Sequence, residues 1–414
     1  MNGVRIEVPK PAHDRGSPSV RGILPLLAAL AAIGALSTNI ILPLFPIIAA
    51  DLGASSVELG LTLSVFFAVF ALGQLVVGPL SDSYGRRKLI VGGLLVFCVG
   101  GVVCAQATDV SMLVLGRAIQ AAGVCAASVL ARALARDLFE GEALARVLAM
   151  IMVAMAAAPG FSPLLGSAAE KFIGWRMTFM GVSSLGLALV FWYAMRLAET
   201  HSTSRRTPLS ATSIFKGYGK LLLDARFVGP AVVVACVTGG LFGFFTAAPV
   251  ILLEGLGLSS LGFGVFFAGT VLVVFAAGLL GPRIAHYLGT ERTVYIGLFV
   301  ALAGGFLVWA AAACNPGDLI TFAAAISVFL FGMGMVNPLS TALALVPFAA
   351  QAGSASAMLG FLQMSGAALG AALVTALSHY VPMTALGLIL MAAQVIAIAV
   401  FGLLRARRSA IETG

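Results

Sequence analysis

The amino-acid sequence predicts an all-α polytopic membrane protein with twelve transmembrane helices. Of its 414 residues, 60% are hydrophobic and 10% are charged, whereas soluble domains carry about 25% charged residues. A helix that crosses a bilayer needs roughly 20 apolar residues, so a dozen spans leave no room for a large soluble domain. A transmembrane β-barrel is excluded because its strands alternate apolar and polar residues, and the apolar stretches here are continuous.

The apolar runs fall into two sets of six, separated by a polar segment. A layout of two similar halves is typical of transporters built from repeats. The predicted parts are a cytoplasmic tail (1–21), a six-helix bundle (22–197), a cytoplasmic central loop (198–226), a second six-helix bundle (227–404) and a cytoplasmic tail (405–414). The predicted spans are 22–48, 59–80, 89–107, 111–135, 144–169, 176–197, 227–253, 260–282, 293–313, 319–347, 354–380 and 382–404.

The distribution of the cations predicts the orientation of these spans. Of the 24 Lys and Arg residues, only Lys171 and Arg176 fall in outer segments, and Arg117 falls within a span. Cytoplasmic loops are enriched in Lys and Arg. We therefore expect a multi-pass protein of the bacterial inner membrane with both termini in the cytoplasm.

The net charge of +8 then reflects cytoplasmic loops, and no nucleic-acid partner is predicted, since the cations are dispersed among short loops. The five cysteines are scattered through apolar runs, which indicates neither a disulfide framework nor a metal site. No nucleotide-binding loop, nucleophile elbow or HExxH sequence is present. We expect a monomer in the lipid bilayer that is not an enzyme and needs no cofactor.

The fourth span contains a cation at Arg117, three residues before Gln120. Arg117 lies six residues inside the span, or about 9 Å deep, and an intramembrane charge usually faces a cavity or a partner. The alternative is an arginine that extends to the interface. Asn39 of the first span lies at a similar depth, about 10 Å from the outer face, so an Asn39–Arg117 contact is one hypothesis and structural packing of Asn39 is the other.

The loop after the second span combines glycines, an acid and paired cations at Gly78, Asp82, Gly85, Arg86 and Arg87. This pattern resembles the signature loop of the major facilitator superfamily, with Ser83 where an arginine is common. The resemblance implies two six-helix bundles that rock about a central cavity. It assigns the loop a role in holding the inward gate, and Gly78 is expected to allow close helix approach.

The fifth span resembles the antiporter motif of exporters in this superfamily at Pro159, Pro163 and Gly166. The spacing of Arg117 and Gln120 resembles a motif of drug:proton antiporters. The first span resembles that of the bicyclomycin-resistance (Bcr/CflA) type of these antiporters, which commonly has Asp at the position of Asn39. Asn39 cannot titrate, and no Asp or Glu lies deep in a predicted span. Proton coupling is therefore implied by the resemblance, and Arg117 is a candidate to meet the negative end of a substrate.

The spans of the second half contain no charge, so its candidate cavity contacts are Phe245, Asn337 and Gln363, with helix packing as the alternative. The resemblance implies efflux of small amphipathic molecules such as drugs, by proton antiport with alternating access. Export of an endogenous metabolite such as a siderophore has the same signature. An importer of the same fold and a channel or non-transporting membrane protein are the remaining alternatives.

Overall fold

The computed structural model describes residues 20–201, 211–378 and 381–413, and within these residues every regular element is a helix. The predicted N-terminal tail lies almost wholly outside the described residues. The first half contains α1 (Val20–Asn39), α2 (Phe45–Leu52), α3 (Ser56–Tyr84), α4 (Arg86–Ala105), α5 (Val110–Leu138) and α6 (Gly141–Arg196). The rest contains α7 (Ala211–Leu223), α8 (Ala225–Ala248, continued by a π-helix over Pro249–Gly255), α9 (Ser260–Leu288), α10 (Thr290–Cys314), α11 (Leu319–Leu345), α12 (Ala352–Leu377) and α13 (Pro382–Thr413).

The described residues contain the twelve predicted spans, except that residues 379 and 380, at the end of the eleventh, lie outside the described part. Eleven stretches are long and apolar enough to cross a membrane, and one of them is the 56-residue α6. At Gly174 this helix adopts φ 74° and ψ 172°, a backbone conformation that is open mainly to glycine. Gly174 therefore divides α6 into two spans. The first span is α1 joined to α2 through a short 3₁₀ turn, Leu42–Leu44.

Side chains of loop residues begin many of these helices. Ser55 and Glu58 form a capping box at α3, in which the Glu58 N–H donates to Ser55 Oγ at 3.2 Å and the Ser55 N–H donates to Glu58 Oε2 at 2.7 Å. Asp109 accepts from the Met112 N–H at 2.8 Å at the start of α5. Asp318 accepts from the hydroxyl and N–H of Thr321 at the start of α11, which lowers the pKa of this carboxyl below its ordinary value. Such acids satisfy N–H groups that have no partner within the helix.

The two halves pack internally and meet along two helix pairs. In the first half α4 packs on α5 and α6, and in the second half α8 packs on α11, α12 and α13. Between the halves, α3 packs along α12 and the first span of α6 packs along α9. Inside the second half, glycines allow α8 and α12 to approach closely. A Cβ on Gly370 of α12 would lie 2.0 Å from the carbonyl oxygen of Gly239 in α8.

The predicted central loop contains a helix in its described part. In α7, the apolar residues Ile214, Tyr218 and Leu221 recur at helical spacing, and they pack on α8 and α12. A stripe at this spacing places one apolar face on the bundle. The sequence predicted a loop here because the segment contains many charged residues and its apolar residues form only a short stripe. Residues 202–210 of the predicted loop lie outside the described part.

Tyr218 also satisfies a backbone group that a proline leaves without a donor. Pro79 has no N–H, so the carbonyl of Leu75, four residues earlier in α3, loses its helical partner. The Tyr218 hydroxyl donates to this carbonyl at 3.0 Å. The bond ties α7, which follows the first half, back to α3.

Tyr218→Phe is expected to lower the free energy of unfolding by about 0.5–1.5 kcal/mol, because the partly buried Leu75 carbonyl loses its donor. Thermal unfolding of the purified protein in detergent measures the loss. Tyr84→Phe is the matched control, since Tyr84 is exposed and its replacement should leave the midpoint unchanged. Equal midpoints for Tyr218→Phe and the wild type would contradict the assignment.

Candidate functional site

The two ends of the bundle differ in how closely the halves meet. We call the end with the α3–α4 and α5–α6 loops the basic end, because Arg86, Arg87 and Arg136 lie there. The far end is where α2 ends and α9 begins. From the middle of the bundle to the far end, α6 touches α9: a Cβ on Gly264 would lie 2.7 Å from Leu164 Cα, and Ser167 Oγ donates to the Ser260 carbonyl oxygen at 2.5 Å.

The pair α3 and α12 also closes the far end. A Cβ on Gly60 would lie 2.2 Å from Thr375 Oγ1, so the Thr375 side chain packs directly on the α3 backbone there. Outside this contact, Trp175 Nε1 donates to Asp51 Oδ2 at 3.1 Å and Arg176 forms an ion pair with Asp51. Arg176 also donates to the Ala107 carbonyl oxygen at 3.1 Å. These bonds join the loops of the first half at the far end.

A cavity of about 320 Å³ lies between the halves. Its wall is mainly apolar and aromatic, and Phe67 of α3 meets Phe242 of α8 with ring centroids 4.2 Å apart. Such a wall with few polar groups is typical of small-molecule sites. The polar residues in the wall are Thr38, Asn39, Gln74, Ser128, Arg132, Thr238, Thr270, Asn337 and Gln363.

The cavity continues toward the basic end into a second space of about 340 Å³, which we call the vestibule. Gln74 and Arg132 line both spaces. The vestibule is also lined by Asp82 and Arg86 of the first half and by Gly353 of α12. The halves are therefore separated at the basic end and in contact at the far end, which is the geometry of a transporter open to one side.

Four of the six sequence-predicted substrate or proton-pathway residues line the cavity: Asn39, Phe245, Asn337 and Gln363. Asn39 ends α1, and its Nδ2 donates to the Ala35 carbonyl oxygen at 2.8 Å. The Asn337 Oδ1 is buried without a hydrogen-bond partner in the described structure. Polar atoms of this kind are available to a bound molecule.

Arg117 and Gln120 lie behind the cavity wall and are not part of it. Arg117 is fully buried; its Nη1 donates to Gln120 Oε1 at 2.8 Å and to the Ser37 carbonyl oxygen at 3.2 Å. Its guanidinium lies 4.4 Å from the centroid of the Phe66 ring. The hypothesis that Arg117 contacts Asn39 is therefore wrong for this conformation. The group of α1 that Arg117 binds is the backbone carbonyl of Ser37, whereas Asn39 lines the cavity.

Arg132 is the cation that faces the cavity. It lies six residues before the end of α5, about 9 Å inside the helix, and its Nη1 lies 3.6 Å from Met155 Sδ. The sequence-based interpretation counted it among the cytoplasmic loop cations. Its position inside an apolar run, at the same depth from one end as Arg117 from the other, was the signal that could have identified it.

The loop after α3 is fixed within the first half. Gly85 has φ 94°, which suits glycine at this tight turn. Arg86 forms an ion pair with Asp137 at the end of α5 and lies 3.8 Å from Asp82. Glu199 accepts the backbone N–H groups of Arg86 at 2.9 Å and of Arg87 at 3.2 Å, so a carboxylate caps the start of α4.

Gly78 does not pack closely against another helix. A Cβ placed on it would meet no atom within 4 Å, which corrects the expectation of close helix approach for this conformation. The physical reason is that Gly78 lines the vestibule, where α3 and α12 have separated.

The proline- and glycine-containing segment of α6 contacts the first span. A Cβ on Gly166 would lie 1.9 Å from the Ile40 carbonyl oxygen, so only glycine allows this approach. Pro163 and Pro159 each remove one helical N–H donor. Ser162 Oγ donates to the Ala158 carbonyl, and the single O–H of Ser167 is shared between the Ser260 carbonyl and the Pro163 carbonyl oxygen, which lies 2.8 Å from Ser167 Oγ. These bonds reach the carbonyls four residues before each serine, whereas the carbonyls that the two prolines leave without a helical donor are those of Met155 and Pro159.

Twelve spans, two helix pairs between halves and a cavity open at one end define a membrane transporter. The chain belongs to the Major Facilitator Superfamily, whose sequence profile matches residues 27–371. This confirms the predicted fold class, the family resemblance and the absence of an enzymatic function.

Individual relatives are similar over most of the chain. It is 32% identical over 341 residues to the uncharacterized MFS-type transporter YdgK of Bacillus subtilis, covering 82% of this chain and 85% of the relative. It is 28% identical over 354 residues to a bicyclomycin resistance protein homolog of Haemophilus influenzae, covering 85% and 88%. The crystal structure of a bacterial homolog of the human lysosomal transporter Spinster shares the fold, with a TM-score of 0.71, 16% identity and coverage of 94% and 96%.

Proposed function

We propose that the protein exports small amphipathic molecules, such as drugs or similar compounds, across the bacterial inner membrane in exchange for protons. The observation that carries the proposal is the mainly apolar cavity between the halves, which continues into the vestibule at the basic end. An apolar wall with dispersed polar groups suits molecules with both apolar and polar parts. The relative named for bicyclomycin resistance supports drugs as the substrate class.

The direction of export follows from placing the basic end in the cytoplasm, as the distribution of Lys and Arg favours. Substrate then enters the cavity through the vestibule from the cytoplasm. Release requires the far end to open and the basic end to close, so that α6 leaves α9 and α3 leaves α12 there. Gly78, Asp82, Gly85, Arg86 and Arg87 would shape the closing surface at the basic end. Pro159, Pro163 and Gly166 would shape the helix that moves at the far end.

Proton exchange is supported by the family resemblance. In the described part of the chain, no Asp or Glu lines the cavity, and the vestibule contains Asp82 and Asp137. A proton carrier in the position of Asn39 is absent because an amide does not titrate. The coupling is therefore tested directly, by asking whether a pH gradient drives transport.

Purified protein in proteoliposomes is the decisive test of the proposal. We expect a pH gradient to drive accumulation of bicyclomycin against its concentration gradient, and nigericin, which collapses the pH gradient in potassium buffer, to abolish it. A deletion strain should become more sensitive to the drug. If the strain instead keeps its drug resistance and accumulates an endogenous metabolite, a dedicated metabolite exporter replaces the proposed drug exporter; if neither changes, efflux is contradicted.

A further inference from the structure

Arg132 is a cation on the path from the vestibule to the cavity, and it lines both spaces. We propose that Arg132 binds the carboxylate of an amphipathic organic anion, so that such anions are favoured substrates over neutral molecules of the same shape. The inference rests on the proposed function, since it specifies the substrate class of the same cavity. It differs from the role expected of Arg117, which lies behind the wall.

The first argument is the absence of a charged partner. Within the described residues, the arginine ion pairs are those of Arg86, Arg176, Arg226 and Arg405 with nearby carboxylates. Arg132 instead has a thioether, Met155 Sδ, as its hydrogen-bond acceptor. A thioether is a weak acceptor, so the partly buried guanidinium of Arg132 has no carboxylate within ion-pair distance in the described structure. A bound carboxylate would supply that partner, with two parallel hydrogen bonds to the planar guanidinium.

The second argument is the set of polar groups on the same wall. Ser128 lies four residues before Arg132 on α5 and therefore on the same helix face. Its Oγ is buried without a hydrogen-bond partner in the described structure. Gln74 of α3 lines the cavity and the vestibule together with Arg132. Hydroxyl and amide donors beside a guanidinium can satisfy the remaining lone pairs of a carboxylate.

The third argument is the charge of the approach to the site. The vestibule contains Arg86, Arg132 and Arg136 as cations and Asp82 and Asp137 as anions. Arg86 and Asp137 form an ion pair with each other, which leaves two cations and one anion along the path. A cleft with an excess of one charge raises the local concentration of oppositely charged ligands.

The rest of the cavity determines the other end of the ligand. Phe66, Phe67, Phe70, Phe242 and Phe245 contribute aromatic surface to the wall, and aromatic rings favour stacked or edge contacts with other rings. An anion with an aromatic body would therefore place its rings among these side chains and its carboxylate toward the basic end.

The test compares two probes of nearly equal shape, 1-naphthylacetate and the neutral 1-naphthylacetamide, by calorimetric titration of the full-length protein in detergent. We expect the wild type to bind the anion at least about 10-fold more tightly, because hydrogen bonds to charged groups are the stronger ones. Arg132→Gln should weaken binding of the anion by about 10- to 100-fold and change binding of the amide by less than about twofold. Arg132→Lys should retain part of the preference, since it keeps the charge and loses the planar fork.

Arg146→Gln is the matched control, because Arg146 is exposed near the start of α6 and lines neither the cavity nor the vestibule. The inference is overturned if Arg132→Gln keeps the preference for the anion, if both Arg→Gln variants lose it equally, or if the wild type binds neither probe or both alike. Unchanged binding of the amide shows that a variant is folded, and loss of amide binding by Arg132→Gln would overturn a role limited to the anion.

Bicyclomycin efflux is measured in parallel. Intact drug efflux with no preference for the anion contradicts this inference alone, whereas absent efflux with a preserved preference contradicts the proposed function alone.

Discussion

Replacing Arg117 with methionine is expected to reduce transport by at least about 100-fold while leaving the thermal stability of the protein unchanged or slightly raised. Arg117 joins three helices of the first half, through the Ser37 carbonyl in α1, the Phe66 ring in α3 and Gln120 in α5. Hydrogen bonds to a charged group contribute about 1.5–3 kcal/mol each, and about 1.4 kcal/mol corresponds to a factor of ten. Two further bonds of this kind, formed by the N–H groups of Arg117 in another conformation of the transport cycle, would account for the expected loss.

The stability should not fall in parallel, because the guanidinium is a costly group in its present surroundings. Its Nε and Nη2 are buried without hydrogen-bond partners in the described structure. Replacing buried ionic groups with apolar side chains of similar volume is often neutral or stabilising. A residue that is costly in a membrane is usually retained for function. The unpartnered N–H groups of Arg117 are available to other acceptors when α1 moves.

The measurements are transport in proteoliposomes and thermal unfolding in detergent for the same preparations. Arg146→Met is the matched control, since Arg146 is exposed near the start of α6, and it should transport within about twofold of the wild type. Unimpaired transport by Arg117→Met would remove Arg117 from the transport mechanism. A large fall in its unfolding temperature would make Arg117 a structural residue instead.

The order and length of the spans could be predicted from the sequence because both depend on local properties. Each run of about 20 apolar residues must be helical to satisfy its backbone in lipid, whatever its neighbours are. A break between the spans 144–169 and 176–197 was predicted for the same reason, since Lys171 and Arg176 interrupt the apolar pattern there. The chain leaves the helical conformation within this interval, at Gly174.

The facing of individual side chains could not be predicted in the same way. The sequence indicates how deep a residue lies in a span, but the rotation of each helix about its axis depends on packing against helices that are distant along the chain. Arg117 and Arg132 lie at similar depths from opposite ends of α5, yet the first is sealed behind Phe66 and the second lines the cavity. Gly78 illustrates the same limit, because its surroundings depend on which end of the transporter is open.

Gly264→Val is expected to have a large effect on transport, because it disrupts the contact between α9 and α6 that closes the far end. A Cβ at this position would lie 2.7 Å from Leu164 Cα and 3.1 Å from Ser167 Oγ. The Leu164 atom belongs to the backbone of α6 and cannot move without moving the helix. Overpacking of this kind costs about 1–3 kcal/mol, and here the cost falls on only one of the two conformations.

A cost applied to one conformation shifts the population toward the other by about 5- to 150-fold. We therefore expect Gly264→Val to open the far end, to close the basic end and to reduce transport by at least about tenfold, because the cycle must pass through the disfavoured state. The change is observed with a cysteine introduced at Ser356, which lines the vestibule, in a chain whose exposed Cys314 is replaced by serine. Its labelling by a membrane-impermeant maleimide in inside-out vesicles should slow by about tenfold or more.

Gly269→Val separates this effect from that of a bulkier side chain in the same helix. Gly269 lies five residues further along α9, and a Cβ there meets no atom within 4 Å, so labelling and transport should match the wild type. If Gly264→Val also matched the wild type, the contact between α6 and α9 would not hold the far end closed. If both variants failed alike, the loss would belong to the folding of α9. Slower labelling of the cysteine at position 356 in Gly264→Val, with wild-type labelling in Gly269→Val, would show that the contact between α6 and α9 controls the exchange between the state open at the basic end and the state open at the far end.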